Sequence, residues 1–167
     1  MRRMLFGLAF AATVAVGHAQ QPAAPAASAQ ALRSFAASAD VAALVAKAKA
    51  DIKPGQALLS QPLLQLAPYS VNVEYRVAVA NAAVHDHEAE LFYVIEGSAT
   101  MVTGGQLTNP MRTNAENLTG TGVTGGTAQH VAKGDFVLVP NGTPHWFSAF
   151  DTTPLVLMAL HLPTPAR

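Results

Sequence analysis

Between residues 69 and 80 the chain alternates. Val71, Val73, Tyr75, Val77 and Val79 share one parity, while Asn72, Glu74 and Arg76 share the other. Successive side chains of a strand point to opposite faces, so this stretch predicts a half-buried strand. Similar runs at 57–66, 91–96, 98–103, 128–132, 135–139, 145–150 and 154–161 predict further strands, mostly separated by turn residues. One segment has a different period. In 40–50, Val41, Leu44, Val45 and Ala48 recur at spacings of three and four, which predicts a helix. Ser38 or Asp40 can cap it, and Pro54-Gly55 stops it, so a packing helix is expected within 38–55. Many short strands and a single helix imply an all-β sandwich or barrel over 56–163. Residues 104–127 are rich in Gly, Thr and Asn without apolar periodicity. They predict a long variable loop or a loosely ordered hairpin, lying over a binding pocket or moving above it. Asn117-Leu118-Thr119 within it matches a glycosylation acceptor pattern.

The N-terminus reads as a secretory signal. Met1-Arg2-Arg3 precedes an apolar run from Met4 to Gly17, and Gly17-His18-Ala19 offers a cleavage site after Ala19. The run is too short for a comfortable membrane span. Residues 20–37, dominated by Ala, Pro, Ser and Gln, then read as a flexible linker. The protein is therefore expected to be periplasmic or secreted, with no stable membrane span after cleavage. Removing 19 of 167 residues leaves 148, with eight basic residues against ten acidic ones. The basic residues are scattered, so no nucleic-acid partner is expected. No cysteine is present, which excludes disulfides, zinc-thiolate sites and iron–sulfur clusters.

Metal-competent residues gather in two places. The first is His85-Asp86-His87-Glu88-Ala89-Glu90. On one strand His85 and His87 would share a face. A tight turn at Glu88-Ala89 would set Glu90 opposite His87. The second is Gly134-Asp135-Phe136-Val137-Leu138-Val139-Pro140-Asn141-Gly142-Thr143-Pro144-His145. There a strand runs into a Pro-Asn-Gly turn that delivers an imidazole to the next strand.

These segments resemble the cupin superfamily. Its first motif, G-x5-H-x-H-x3,4-E-x6-G, is similar to His85-x-His87-x2-Glu90-x6-Gly97. Its second, G-x5-P-x-G-x2-H-x3-N, is similar to Gly134-x5-Pro140-x-Gly142-x2-His145. Val79 replaces the leading Gly, the gap between His87 and Glu90 is one residue short, and Ala149 stands where Asn is usual. The resemblance implies a double-stranded β-helix, a jelly-roll-like barrel. It also implies one divalent metal ion on His85, His87, Glu90 and His145. Three imidazoles and a carboxylate suit Fe, Mn, Ni, Zn or Cu. Glu90 could double as a catalytic base if it leaves the metal. His161 is expected to be a hydrogen-bonded strand residue and His130 an exposed one. Tyr75, Phe92, Phe136 and Phe147, with Val94 and Leu138, are expected to wall a pocket for a small-molecule ligand. The expected function is a metal-dependent enzyme acting on a small oxygenated compound, by dioxygenation, isomerisation or elimination. A non-catalytic periplasmic module that binds a small molecule or metal is the rival reading, and a homodimer is left open.

Overall fold

The structure is a computed structural model, and it describes residues 33–164. The signal, its cleavage site and most of the linker lie outside the described residues. Among the described residues no helix is long and apolar enough to cross a membrane.

Helix α1 (Ser38–Asp51) leads into eleven strands. In order these are β1 (Leu58–Leu66), β2 (Tyr69–Arg76), β3 (Ala82–His85), β4 (Glu88–Thr103), β5 (Gln106–Thr108) and β6 (Met111–Arg112). They continue with β7 (Asn117–Gly120), β8 (Gly122–Thr124), β9 (Thr127–Ala132), β10 (Phe136–Val139) and β11 (His145–Pro163). The runs at 91–96 and 98–103 are two halves of one strand, β4, and those at 145–150 and 154–161 are two halves of β11.

These two long strands organise the fold. Residues 88–96 of β4 pair with 156–163 of β11 on one side and with β10 on the other. Residues 98–103 of β4 pair with 145–152 of β11 and with β9. One half of the barrel is thus ordered β1-β2-β11-β4-β10, the other β9-β4-β11-β3-β7-β6. Both long strands pass from one half to the other, and this makes the double-stranded β-helix. At the crossing of β4, Gly97 has φ of 87°, and a Cβ there would come within 2.4 Å of the Pro154 carbonyl oxygen. Backbone cannot retreat as a side-chain tip can. Gly97→Ala should therefore cost about 2 kcal/mol, read as a lowered midpoint in thermal melting.

Apolar side chains occupy two layers. Phe92, Val94, Met101, Phe147, Leu155 and Leu157 fill the barrel interior. Ala48, Leu63, Val71, Val73, Tyr75 and Val156 form a second layer, with Val41, Leu44 and Val45 of α1 packed against it. Helix α1 therefore lies outside the barrel, on β1 and β2. Asp40 supports its first turn from within, accepting the Ala37 backbone N–H at 2.8 Å.

The second layer corrects the expected pocket wall. The apolar parity of β2 faces α1, so Tyr75 belongs to the outer layer. The polar parity faces inward: the Arg76 guanidinium stacks 4.8 Å from the ring centre of Phe147 and donates to Glu74. Phe136 and Leu138 also point outward, at 65% and 60% exposed. Their strand is apolar at every position, so composition could not assign its faces.

Of the two forms expected for residues 104–127, the structure has paired strands rather than a long loop. β5 pairs with β8, and β6 pairs with β7. β7 in turn lies along the whole of β3, with Asn117 opposite His85. Backbone hydrogen bonds hold this extension, so it needs no apolar alternation.

Candidate functional site

The first motif breaks where β3 ends. The chain leaves one half of the barrel at His85, turns through Asp86-His87 and enters the other half at Glu88. The turn therefore falls two residues earlier than a Glu88-Ala89 hairpin would place it. His85 stays at the end of its strand, but His87 sits in the turn itself. Its side chain is exposed, and its carbonyl accepts the N–H and hydroxyl of Thr164 at 2.7 and 2.9 Å. The structure does not bring His87 to Glu90.

It brings His161 there instead. β11 runs antiparallel to β4 with His161 opposite Glu90. The other end of β11 supplies His145, because the strand crosses between the two halves. His85 Nε2 lies 3.3 Å and His145 Nε2 3.2 Å from Glu90 Oε2, and His161 Nε2 lies 3.6 Å from Oε1. The His85 ring centre is 5.3 Å from that of His145 and 5.6 Å from that of His161. His85, Glu90 and His161 offer nitrogen and oxygen atoms all within 4.8 Å of one another, a group able to hold a metal ion.

Each imidazole is oriented from its far side. His85 Nδ1 is 2.6 Å from Asn117 Oδ1, His145 Nδ1 is 3.2 Å from the Thr143 carbonyl, and His161 Nδ1 is 3.2 Å from Glu88 Oε2. All three partners are acceptors, so all three Nδ1 atoms carry the proton and every Nε2 is turned toward Glu90. The turn of the second motif clamps the first: Gly142 N–H donates to the His85 carbonyl at 2.7 Å, and Asn141 Nδ2 to that of Asp86 at 3.3 Å.

Glu90 is 4% exposed. Two nitrogens approach its Oε2, but neither contact has hydrogen-bond geometry, so this oxygen is buried without a hydrogen-bond partner among the described residues. Burial pushes its carboxyl up, yet His145 and His85 outweigh burial and hold it well below the usual carboxylate range. The Glu90 carboxylate in turn raises His85 to about 9, against burial, with Asn117 assisting.

The sequence matches the cupin family over residues 59–165. This chain is a cupin. A search of curated proteins finds no match. Among solved structures, the cupin is similar to a Bacillus halodurans protein at 16% identity, with 81% of this chain and 85% of that one covered and a TM-score of 0.52. An uncharacterized conserved protein of Klebsiella pneumoniae with a double-stranded β-helix domain matches at 18% identity, covering 71% and 84%, with a TM-score of 0.49. An iron(II) HppE structure matches at 16% identity, covering 64% of the cupin and 52% of that chain, with a TM-score of 0.49.

Of the expected wall residues, Phe92 and Phe147 do lie behind the cluster. The Phe92 ring is 5.9 Å from that of His145 and 5.4 Å from that of Phe147. The side chains of His145 and Glu90 are nearly buried, while those of His85 and His161 are each 19% exposed. Solvent thus reaches the cupin's cluster from the His85–His161 side. A pocket of about 290 Å³ nearby is lined by His87, Glu88, Glu116, Pro163 and Thr164.

Asn117 holds His85 from the extension and is half-buried, so it offers no free amide for a glycan. If the cluster takes up a metal ion, losing such an outer hydrogen bond costs about 10–100-fold in affinity. Asn117→Ala should fall in that range in a chelator-competition titration, with the fold intact by circular dichroism.

Proposed function

We propose that this cupin carries one divalent metal ion on His85, Glu90, His145 and His161 and acts on a small oxygenated organic molecule outside the cytoplasm. One observation carries the reading. The buried Glu90 carboxylate, whose Oε2 has no hydrogen bond among the described residues, faces three imidazoles whose Nδ1 protons are all committed elsewhere: His85 and His145 at Oε2 and His161 at Oε1. Such a group is costly to leave without a partner, and a divalent cation is the partner this donor set suits. His161 takes the place expected of His87.

A bound ion would supply Lewis acidity, polarising an oxygen of the substrate or lowering the pKa of water. The chain's own residues define the rest. Phe92 and Phe147 give the inner side an apolar lining, which disfavours bulk water around the cluster. The partly exposed edges of His85 and His161 leave the outer side open to a small molecule. Glu88 fixes the His161 ring and lines the outer pocket, where it can also accept a hydrogen bond from a substrate hydroxyl. Glu90 is the one carboxylate at the centre and the natural group to hold a proton if it releases the ion. Export rests on the Met1–Ala19 pattern.

Elemental analysis of protein purified from its native compartment tests the proposal, together with a screen of small oxygenated substrates. The expected results are about one ion per chain, turnover that chelator abolishes, and a mature N-terminus at Gln20. Stoichiometric metal without turnover would favour a binding module. Protein that never retains metal would overturn the reading.

A further inference from the structure

The outer pocket is acidic. Its cavity of about 290 Å³ has Glu88 and Glu116 among its walls, and among the described residues no lysine or arginine lines it. That size is near the lower limit for small-molecule sites. The arginines that come closest along the chain are already committed. Arg112 Nη1 donates to Asp86 Oδ2 at 2.8 Å and to the Ala115 carbonyl at 3.0 Å. Arg76 is held by Glu74 at 2.7 Å, at the far end of β2 from Ser70, which stands opposite His161.

The hydrogen-bonding groups of the wall share that bias. Thr164 turns both its N–H and its hydroxyl to the His87 carbonyl, and Pro163 has no N–H to offer. Acceptors are left over. Glu88 Oε2 takes one bond, from His161 Nδ1 at 3.2 Å, and a carboxylate can accept several. The Glu116 backbone is pinned: its N–H donates to Asn114 Oδ1 at 2.9 Å and its carbonyl accepts the Asp86 N–H at 2.8 Å. Its carboxylate is therefore set beside the pocket. Exposed carboxylates are common on any surface, but here a second feature points to a ligand. Glu90 Oε2 is buried without a hydrogen bond among the described residues. The His161 ring joins that carboxylate to the pocket wall, with Nε2 3.6 Å from Glu90 Oε1 and Nδ1 3.2 Å from Glu88 Oε2. One imidazole thus separates the place of the proposed ion from the first carboxylate of the pocket.

We infer, resting on the metal reading above, that the outer pocket receives the cationic end of the substrate: a small amine, protonated at neutral pH, whose other end carries the oxygen that meets the ion. The cluster sets one carboxylate, Glu90, against a divalent charge, so it welcomes an oxygen donor. The pocket adds Glu88 and Glu116 with no base to offset them. An ammonium group answers those charges, and its three N–H donors match the unfilled acceptors. A substrate ending in a carboxylate would bring a like charge against both glutamates, which opposes binding. His87 gains a place in this arrangement as a wall of the pocket beside the ammonium end.

Matched probes test the inference: β-alanine hydroxamate, succinic acid monohydroxamate and propionohydroxamate. All carry the same metal-seeking hydroxamate, and they end in an ammonium, a carboxylate and a methyl group respectively. Titration calorimetry on zinc-loaded protein, with the zinc content measured on each sample, reads their affinities. The ammonium probe should bind at least ~10-fold tighter than the carboxylate probe, with the methyl probe between them. Added salt should shrink the difference, because the glutamates are open to solvent. Glu116→Lys should cancel or reverse the order with zinc still bound, since this exposed side chain makes no bond to the cluster. Zinc-loaded protein that binds none of the probes, or binds the carboxylate probe as tightly as the ammonium probe, would overturn the inference and leave the metal reading standing. So would a preference that Glu116→Lys does not move. Protein that takes up no zinc would overturn both.

Discussion

His161→Ala should strip the cupin of the proposed ion, while His87→Ala should leave occupancy unchanged. The motif spacing alone suggests the opposite pair of outcomes, which makes the comparison decisive. His161 stands directly across the β11–β4 pairing from Glu90, with its Nε2 3.6 Å from the carboxylate and its ring fixed by Glu88. Its loss should weaken binding at least ~100-fold, beyond the 10–100-fold typical of an outer hydrogen bond. His87 touches the site only through its backbone carbonyl, which holds Thr164 and survives substitution by alanine. Titration of both variants against a chromophoric chelator reads the two affinities. Loss of metal in His87→Ala with retention in His161→Ala would reverse the assignment.

Chelator-treated protein should be most stable in mildly acidic solution and weaken on the alkaline side. The His85 pKa is raised from 6.5 to about 9 by the Glu90 carboxylate. Its contribution is therefore complete below pH 6.5 and is lost as pH rises through about 9. Glu90 acts in the other direction. Its carboxyl is held below the ordinary 4.5, so its contribution is present above pH 4.5 and fades as pH falls beneath it. Water reaches part of the His85 ring, and screening reduces the alkaline loss to about 1–2 kcal/mol. Urea denaturation at pH 6 and pH 9 in chelator should show that difference, and Glu90→Gln should abolish it. A curve equally stable at both values would show that His85 and Glu90 are not coupled. Metal affinity should climb over the same interval, because the ion must displace the Nε2 proton of His85.

The fold was largely legible because alternation is a direct print of strand geometry. What the pattern could not show was which side of a strand faces the barrel when both sides are covered. β2 illustrates this. Its apolar row was expected inside, but α1 supplies a second layer, and that row turned to it. Parity could not be carried from Tyr75 to His85 either, because the chain between β2 and β3 bends out of strand geometry at 77–81.

The site was legible in part. His85, Glu90 and His145 converge because each is fixed within a strand or beside the Pro140-Asn141-Gly142 turn. His87 was paired with His85 on the assumption that one strand runs through both. The shortened gap to Glu90 was the warning, since a residue lost there draws the turn back onto His87. The signal for His161 was present. It shares parity with Leu157 and Ala159, both fully buried in the barrel interior, and a histidine continuing an interior row toward the barrel mouth needs a polar partner there.

The two histidines of β11 stand 16 positions apart in sequence, and His85 and His161 stand 76 apart. No short stretch of this chain holds three of the four groups of the cluster, Glu90 and its three histidines; only the closed barrel does. An ion therefore has little to grip until nearly the whole chain is in place, and it cannot serve as an early seed for folding. Its effect should appear almost wholly on the return path. Metal added to unfolded protein should leave the refolding rate unchanged, whereas metal on the native protein should slow unfolding in proportion to the affinity it contributes. Under the proposed export, in which the chain would cross a membrane unfolded, that order of events lets the ion be acquired only where the barrel finally closes.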